Sequence, residues 1–335
     1  MKKSTLLNTT VAIVILMVAC TKKTEIVTII PPFVPPVVTN LITLPVGWKL
    51  STTFGTSFPA GIQVYQFDDI YLGKQVKAFC VAYDSKNTTL EFKPIMAATA
   101  TTPSAFAAAE TGITYACING GFFGSNQSFS LVEYNNVVAS ANIKALTRSF
   151  NSVNTSYYPT RAAFGVTTAG VPSVGWVYNV GASNDMVYTY PTPSPNMLNT
   201  APQAVPTATF PSGGSIWNVA SAIGGSPMLV KNNAIQITSA EELIEVDNTS
   251  ARPRSAIGYT ADGIVLIFAI EGGNTTNAGV NLADEAAFVK NLGCTNAINL
   301  DGGGSTSLVI GGTQTVRPGD GFERPVVSAI LIKKK

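Results

Sequence analysis

One order of short motifs occurs three times along this sequence of 335 residues. Each copy has an apolar strand, a glycine pair, a strand, a tight turn, a second strand, and then an arginine that begins a further strand. The copies span residues 118–161, 223–254 and 300–324. Their turns are Asn-Asn, Asn-Asn and Gly-Gly, which tolerate the positive φ of a two-residue hairpin. The repetition predicts three related β units around one centre, where the glycine loops and the arginines meet.

Most of the remaining pattern also favours strands. Residues 76–83 and 264–270 are short runs rich in β-branched and aromatic residues, and glycine, asparagine and aspartate separate such runs. Two stretches have helical character: the alanine-rich 104–110, and 282–292, for which Asn281 is a candidate N-cap. We therefore predict an α+β fold in which mixed or antiparallel sheets form the core and a few helices flank them.

The N-terminus has the features of a secretory signal. Lys2 and Lys3 precede an apolar stretch over 11–18 that is too short to span a bilayer. It ends in Leu-Met-Val-Ala-Cys, which resembles the lipobox of bacterial lipoproteins. We predict a lipoprotein signal peptide over 1–19, lipidation at Cys20, and a location in the bacterial cell envelope, where the lipid anchors the protein to the membrane.

The rest of the chain divides into a tether and one domain. Residues 20–45 contain two Pro-Pro pairs and few charges, which is typical of a semi-rigid spacer. The predicted domain covers 46–335. Within it, residues 180–215 are rich in Pro, Ser, Thr and Asn with little periodicity, and we interpret them as a long loop insertion, one that can lie over a site.

Charge and residue usage exclude several functions. The chain has 21 Lys and Arg against 19 Asp and Glu, so it lacks the basic excess of a nucleic-acid binder. It has no histidine, which excludes Ser-His, Cys-His and His-metal mechanisms. Acidic clusters can hold calcium or magnesium, but no D-x-D-x-D-G loop is present, so we predict no cofactor and no metal site.

Three cysteines remain after the signal peptide, at positions 80, 117 and 294, each in an apolar run. An odd number cannot pair completely. Buried free thiols are one interpretation, and a single disulfide formed in an oxidising compartment is the other.

The sharpest motif runs from Asn299 to Thr306, Asn-Leu-Asp-Gly-Gly-Gly-Ser-Thr. An apolar strand delivers the carboxylate of Asp301 to its end, and glycines let the backbone approach a ligand and expose N–H groups to an anion. No lysine follows, so this is not a Walker loop. The candidate substrate- or phosphate-binding residues of the motif are Gly302, Gly303, Gly304, Ser305 and Thr306.

Other candidates lie in three further motifs. Asn119 and Gly120 begin a glycine turn that continues into two phenylalanines, which can form a wall for a sugar face, although we assign at least one to the core. Arg254 begins an apolar strand and can offer a bidentate fork to phosphate. Glu271 ends an apolar run and can form a carboxylate pair with Asp301.

Asp284 and Glu285 begin the second predicted helix. Acids in a first helical turn are also favoured by the helix dipole alone. We include Asp284 with Asp301 and Glu271 as a candidate catalytic residue.

Four of these motifs occur in the order seen in the phosphodiester glycosidase family, which the chain resembles over roughly residues 75–333. They are Asn-Gly-Gly-Phe-Phe from 119, Arg-Ser-Ala-Ile-Gly from 254, Gly-Val-Asn-Leu-Ala-Asp-Glu-Ala from 279, and the motif from 299. The resemblance implies hydrolysis of a sugar-1-phosphodiester to the sugar and a phosphomonoester. It places this chain's polar residues at motif positions: Asn119, Arg254, Glu271, Asp284 and Asp301.

The residues themselves are compatible with this chemistry, because a sugar phosphate is a good leaving group and needs no strong general acid. The substrate would be a carbohydrate phosphodiester or a glycan, and the protein would act as a monomer. The alternatives are a surface lipoprotein that binds glycans without cleaving them, and a structural envelope protein that has lost its site.

Overall fold

The compact unit that carries the described fold spans Asn40–Lys335. A computed structural model describes residues 39–54 and 58–335, so the predicted signal peptide, Cys20 and most of the predicted tether lie outside the described residues. Ile42 is already buried in a hydrophobic cluster, and the backbone N–H of Leu41 donates to the Tyr65 hydroxyl at 2.9 Å. Leu41 and Ile42 are therefore already part of the packed structure.

Strands make up most of the regular structure. The first twelve are β1 (Trp48–Leu50), β2 (Ile62–Tyr71), β3 (Lys74–Asp84), β4 (Leu90–Thr101), β5 (Thr114–Asn119), β6 (Phe123–Gly124), β7 (Gln127–Ser128), β8 (Val132–Tyr134), β9 (Val137–Ser140), β10 (Leu146–Phe150), β11 (Val153–Tyr157) and β12 (Arg161–Val166). The others are β13 (Pro172–Asn179), β14 (Val187–Tyr190), β15 (Ser215–Ile216), β16 (Ser221–Gly224), β17 (Met228–Lys231), β18 (Ala234–Ile235), β19 (Arg254–Thr260), β20 (Ile264–Ile270), β21 (Cys294–Asn299), β22 (Leu308–Ile310), β23 (Thr313–Gln314) and β24 (Val326–Lys334).

The strands form three main antiparallel sheets and two small hairpins. The eight-stranded sheet has the order β1-β2-β3-β20-β19-β21-β17-β18, the seven-stranded sheet β15-β14-β13-β12-β16-β8-β9, and the five-stranded sheet β23-β22-β5-β24-β4. The hairpins are β6-β7 and β10-β11. The prediction of antiparallel sheets with few helices is confirmed; the sheets are antiparallel rather than mixed.

The three sheets share one internal order. Each contains a long antiparallel pair, then a strand that ends at a glycine motif, then a short hairpin: β13-β12-β16-β8-β9, β20-β19-β21-β17-β18 and β4-β24-β5-β22-β23. In every sheet the middle strand comes from a different motif copy than its neighbours. The three glycine motifs are thereby brought to the ends of three middle strands.

The hairpin turns have the predicted backbone. Asn135 and Asn136 have φ of 50° and 63°, Asn232 and Asn233 have the same values, and the Gly311-Gly312 turn also has positive φ. Two successive positive φ angles match the right-handed twist of the flanking strands.

The central core lies between the three sheets. Their inward faces contribute fully buried Ile, Val, Leu and Phe side chains, such as Phe164, Ile257 and Ile330. Cys80, Cys117 and Cys294 are buried free thiols, as one of the two interpretations predicted.

In the described part of the chain, two α-helices cover outer faces of the sheets. They are α1 (Pro103–Ala109), with Thr102 as N-cap, and α2 (Leu282–Asn291). The side chain of Asn281 accepts a hydrogen bond from the Asp284 N–H at 2.8 Å, so the predicted N-cap is confirmed. Within the described residues, no helix is long and apolar enough to cross a membrane.

The segment 180–215 is more ordered than its composition predicts. It contains β14, which extends the seven-stranded sheet by pairing with β13, and the rest has little regular structure. Leu198 in this segment lines a cavity beside residues 239–248.

Candidate functional site

The three glycine motifs meet through backbone contacts. The Asp301 N–H donates to Gly120 O at 3.2 Å, which joins the first motif to the third. The Ser226 N–H donates to Asn299 O at 2.8 Å, which joins the second to the third. A Cβ added to Gly121 would lie 2.2 Å from Gly224 O, so the first and second motifs are also in direct contact. The three loops therefore form a closed ring.

The side chain of Asn119 connects the loops of this ring through hydrogen bonds. Its Nδ2 donates to the backbone oxygens of Asp301 at 2.7 Å and Gly120 at 3.2 Å. Its Oδ1 accepts from the Ser255 hydroxyl at 2.8 Å and the Ser307 N–H at 3.2 Å. An amide has two donors and two acceptor lone pairs, and all are used. The structure thus makes Asn119 a positioning residue and leaves it no free group for a phosphate.

A cavity of about 310 Å³ opens beside the third motif. Four predicted site residues line it: Asp301, Gly302, Gly303 and Arg254. It is also lined by residues that our candidate set omitted, namely Phe122, Glu245, Val246, Asp247, Arg252 and Asn299.

Asp301 is the cavity carboxylate that belongs to the third glycine motif. Burial raises the pKa of Asp301 to about 6, against the lowering effects of Ser305, the Gly302 N–H and Arg324. Its Oδ1 accepts from the Gly302 N–H at 3.0 Å, which fixes one oxygen. A carboxyl with a pKa near the working pH can exist in either protonation state, as acid–base chemistry requires.

The predicted anion nest is only partly available. The Gly302 N–H is used by Asp301, and the Gly303 N–H donates to Pro253 O at 2.8 Å. Gly304 lies against Arg324 and Asp320 instead of the cavity.

Three other predicted binding residues also lie outside the cavity lining. Ser305 and Thr306 are buried. Gly120 is packed against Ser328, where an added Cβ would meet its hydroxyl at 2.3 Å. The Ser305 hydroxyl accepts from Arg324 Nη1 at 3.4 Å, whereas the buried Thr306 hydroxyl has no hydrogen-bond partner among the described residues.

Arg254 lines the cavity, but most N–H groups of its guanidinium already have hydrogen-bond acceptors. Its Nε donates to Val280 O at 3.2 Å and its Nη1 to Val246 O at 3.2 Å. Its Nη2 donates to Asp247 O at 2.8 Å and Ser250 O at 3.3 Å. Four of its five N–H groups thus donate to backbone oxygens, two of them in the cavity-wall residues Val246 and Asp247, which leaves one N–H group for a phosphate.

Arg252 supplies the accessible donors. Its Nε and its Nη2 both donate to Asp247 Oδ2, at 2.9 Å and 2.5 Å, while its side chain remains 54% exposed. In the described part of the chain, its Nη1 makes no hydrogen bond. Asp247 has its pKa lowered to about 2, chiefly by Arg252, so this acid balances one positive charge at the rim. The sequence motif contained Arg252, but nothing local separated it from Arg254.

Glu271 does not belong to the cavity. Its Oε1 accepts from the Asn277 amide at 2.9 Å, and its Oε2 accepts from the Arg317 N–H at 2.9 Å. Burial raises the pKa of Glu271, but these bonds and Lys77 outweigh it and hold the pKa below its usual value. The carboxyl organises the 272–280 loop, so the predicted pair with Asp301 is not formed at this cavity.

Asp284 also lies outside the cavity lining, on a partly exposed face of α2. Burial, and then the charge of Asp284, raise the pKa of Tyr71, which places the acid near β2. Its neighbour Glu285 points inward instead, because successive helical residues differ by about 100° in direction. Glu285 is fully buried, and the charge of Arg254 acts on it.

Glu285 is an acid that sequence reasoning left outside the candidate set. Neither carboxyl oxygen has a hydrogen-bond partner among the described residues. Burial raises the pKa of Glu285 to about 8, and Arg254 lowers it in part. The group is therefore mainly protonated at neutral pH.

We expect Glu285→Gln to change how stability depends on pH. The folded protein holds a proton on Glu285 that the unfolded chain releases above its ordinary pKa, so wild-type stability falls as pH rises through that window towards about 8. Glutamine does not titrate. Measured by denaturant unfolding, the free energy of unfolding of the variant relative to the wild type should rise by on the order of 2 kcal/mol between pH 5 and pH 8. Asp284→Asn, which removes an acid from the same helix, is the control. If the stability difference between Glu285→Gln and the wild type is the same at both pH values, Glu285 does not hold a proton in the folded protein.

The phenylalanine pair divides as expected. Phe122 lines the cavity, while Phe123 packs against the buried cluster that contains Phe106. Asn299 is 1% exposed and its Nδ2 donates to Ser226 O at 2.7 Å, which fixes the amide orientation.

Within the described residues, no cluster of three Cys, Asp or Glu side chains has the arrangement of a metal site.

Comparisons with known proteins agree with the family resemblance. The model of the phosphodiester glycosidase family matches residues 113–333. A 109-residue segment is 33% identical to mouse N-acetylglucosamine-1-phosphodiester alpha-N-acetylglucosaminidase and covers 29% of this chain and 21% of that protein. An 80-residue segment is 36% identical to the SPbeta prophage-derived uncharacterized protein YomE of Bacillus subtilis (strain 168), covering 24% of this chain and 12% of YomE. The matches thus span about a fifth or less of these relatives.

Solved structures show the same fold. The catalytic domain of zebrafish N-acetylglucosamine-1-phosphodiester alpha-N-acetylglucosaminidase, auto-inhibited by its pro-peptide, aligns with a TM-score of 0.56 at 18% identity and covers 87% of this chain and 89% of that one. A hypothetical protein from Synechocystis aligns with a TM-score of 0.55 at 20% identity, covering 87% and 69%. Since the family model matches well over half of its length, this chain belongs to the phosphodiester glycosidase family.

Proposed function

We propose that this chain hydrolyses a sugar-1-phosphodiester in the cavity beside Asp301. The observation that carries the proposal is the partly buried carboxyl of Asp301, which shares a cavity of about 310 Å³ with the accessible Arg252 and with Arg254, which holds the cavity wall. An acid can act at the sugar, while guanidinium groups bind phosphate. The name of the mammalian relatives suggests N-acetylglucosamine as the sugar to test first.

The reaction assigns a separate role to each group. The ionised Asp301 stabilises positive charge at the anomeric carbon or activates a water molecule. The water oxygen bonds to that carbon and its proton passes to the Asp301 carboxylate, while the bond from the carbon to the phosphate oxygen breaks and the phosphomonoester leaves with the bonding electrons. Arg252 binds the phosphate, and Arg254 holds the cavity wall through Val246 and Asp247. No histidine takes part.

The deciding experiment is hydrolysis of a panel by the protein lacking residues 1–20. The panel contains phosphodiesters of N-acetylglucosamine-1-phosphate, UDP-N-acetylglucosamine and 4-nitrophenyl glycosides that lack phosphate. Cleavage of the phosphodiesters alone supports the proposal. Binding of glycans with no cleavage would support the glycan-binding alternative instead.

We expect Arg252→Gln to raise KM for a phosphodiester by about tenfold with a smaller effect on kcat, because it removes charge-assisted hydrogen bonds to the phosphate. Stability should change by less than about 1 kcal/mol, because the pair with Asp247 is exposed. Arg148→Gln removes a cation from β10, outside the cavity, and is the matched control. Equal KM values for the two variants would remove Arg252 from the phosphate site.

We expect kcat/KM to rise with pH up to about 6 and to level off above it. Asp301 must be ionised to act, and its pKa is raised to about 6, so each pH unit below that value costs about tenfold in active enzyme. Initial rates between pH 4.5 and 8.5 test this. Activity that instead falls above pH 6 would make Asp301 a general acid.

We also propose that the protein is exported and lipidated at Cys20. The proposal is supported by the charged start, the apolar stretch and the lipobox-like end of residues 1–20. Metabolic labelling with a palmitate analogue should mark the protein, and Cys20→Ala should abolish the label. Cys80→Ala, which removes a buried thiol, is the control; labelling that persists in Cys20→Ala would refute the anchor.

Finally, we propose that the three motif copies are related units around this one site. The proposal is supported by the shared order of the three sheets and by the ring of glycine loops. Superposition of the units 118–166, 223–260 and 300–334 on common strand positions tests it. Agreement limited to the hairpin turns would reduce the repetition to turn chemistry.

A further inference from the structure

A second cavity of about 340 Å³ lies next to the one that contains Asp301. Its lining is mainly apolar, although it sits among exposed loops: Leu198, Ala240, Leu243, Ile244 and Val246. Leu198, from the 180–215 segment, remains 45% exposed. An exposed apolar pocket beside a catalytic cavity is characteristic of a ligand subsite.

The two cavities share one wall. Glu245, Val246 and Asp247 line both of them. This wall is held in place from the Asp301 side, because Arg254 donates to Val246 O at 3.2 Å and to Asp247 O at 2.8 Å. A substrate that bridges this short wall reaches both cavities at once.

Charge separates what each cavity can bind. The arginines lie on the Asp301 side, where Arg252 and Arg254 line the cavity. The acids Glu245 and Asp247 line both cavities, but neither arginine lines the second, so its lining contains acids and no cation. A phosphate is therefore favoured in the first cavity, and an anionic group is disfavoured in the second.

We propose that the second cavity binds the aglycone of the substrate, and that this aglycone is a neutral apolar chain. This inference rests on the proposed function, because it extends the phosphodiester from Arg252 across the wall. The sugar then lies at Asp301, the phosphate at Arg252, and the apolar chain against Leu198, Leu243 and Ile244. A nucleotide or a phosphorylated sugar does not match this lining.

The test compares three phosphodiesters of N-acetylglucosamine-1-phosphate that differ only in the aglycone: methyl, n-hexyl and 5-carboxypentyl. A fully buried methylene is worth roughly a fourfold gain in affinity. Even partial burial of five additional methylenes should lower KM for the n-hexyl ester by about tenfold relative to the methyl ester, with a smaller change in kcat. The 5-carboxypentyl ester has the same reach but carries an anion, and it should lose that gain.

Leu198→Ser should reduce the n-hexyl preference several-fold, since it removes part of the apolar lining from an exposed position. Ile216→Ser is the matched control, because Ile216 is 55% exposed on β15 and outside both cavities. Calorimetric binding of n-hexyl phosphate and methyl phosphate to the Asp301→Asn protein repeats the comparison without turnover.

The outcomes separate the two proposals. If all three esters are cleaved with equal KM, the chain is a phosphodiester glycosidase and the apolar subsite is wrong. If no ester is cleaved but n-hexyl phosphate still binds about tenfold more tightly than methyl phosphate, the subsite stands and the proposed reaction fails. Equal binding of the two phosphates overturns the subsite whatever the turnover.

Discussion

We expect Asp301→Asn to lower kcat for a sugar-1-phosphodiester by about 10²- to 10⁴-fold while the fold stays intact. Asparagine has the same shape and keeps the oxygen that accepts the Gly302 N–H at 3.0 Å. It removes the negative charge that the transition state requires. Single-turnover and steady-state kinetics with the same phosphodiester measure the loss.

The same variant should be more stable at neutral pH. Burial raises the pKa of Asp301 to about 6, so ionising it costs more in the folded protein than in the unfolded chain. The protonated form of Asp301 contributes stability to the folded protein. This contribution is lost as pH rises from the ordinary pKa of aspartate in the unfolded chain through about 6. At pH 7.5, Asp301→Asn should gain on the order of 2 kcal/mol in the free energy of unfolding.

Glu271→Gln provides the contrast. It should destabilise the protein, because the Glu271 carboxylate accepts hydrogen bonds from Asn277 and the Arg317 N–H. Measured well below its melting temperature, it should keep most of its kcat. Full loss of turnover in Glu271→Gln with normal kcat in Asp301→Asn would reverse the assignment of the catalytic carboxylate.

We expect Gly225→Ala to destabilise the protein by roughly 4 kcal/mol or more. A Cβ on Gly225 would lie 2.0 Å from Asn299 O, and a backbone oxygen cannot rotate away. The Gly225 N–H also donates to Ala162 O at 3.0 Å, so the residue is held between two strands. Denaturant unfolding and the yield of folded protein measure the effect.

Gly181→Ala separates this close contact from backbone strain. Gly181 has φ of +84° and nothing within 4 Å of an added Cβ, so alanine should cost only about 1 kcal/mol. If Gly225→Ala costs no more than Gly181→Ala, the loop ring is not closely packed. The kcat of Gly225→Ala should be measured at low temperature, where the variant stays folded, and compared with the kcat of Asp301→Asn.

Much of the architecture was predictable because its signals are local. The Asn-Asn and Gly-Gly pairs predict hairpins through the φ angles they tolerate, and Asn281 predicts the start of α2 through its side-chain oxygen. The β14 strand within 180–215 was not predictable in this way. Its four residues, Val187–Tyr190, lie between the preceding strand β13 and the edge strand β15, and this pairing defines the strand more than the composition of its segment does.

The candidate site was predictable in composition more than in role. Asp301 could be selected because a strand, a single carboxylate and three glycines are adjacent in the chain. Arg254 was predicted to bind phosphate through two N–H groups. In the structure these groups donate to the carbonyl oxygens of Val246, Asp247 and Ser250, in a loop that folds back onto the arginine. No local pattern shows which of two nearby arginines will be occupied in this way.

The sequence alone determined the histidine-free chemistry, the family motifs, the glycine loops and the acid at the end of β21, because each depends on residue type and spacing along the chain. Only the tertiary structure decided which polar groups remain free. It saturates Asn119 and Glu271 with partners from distant segments, turns Glu285 inward in place of Asp284, and leaves Arg252 accessible. The physical reason is that hydrogen-bond satisfaction and burial depend on neighbours in space, which the order of residues does not specify.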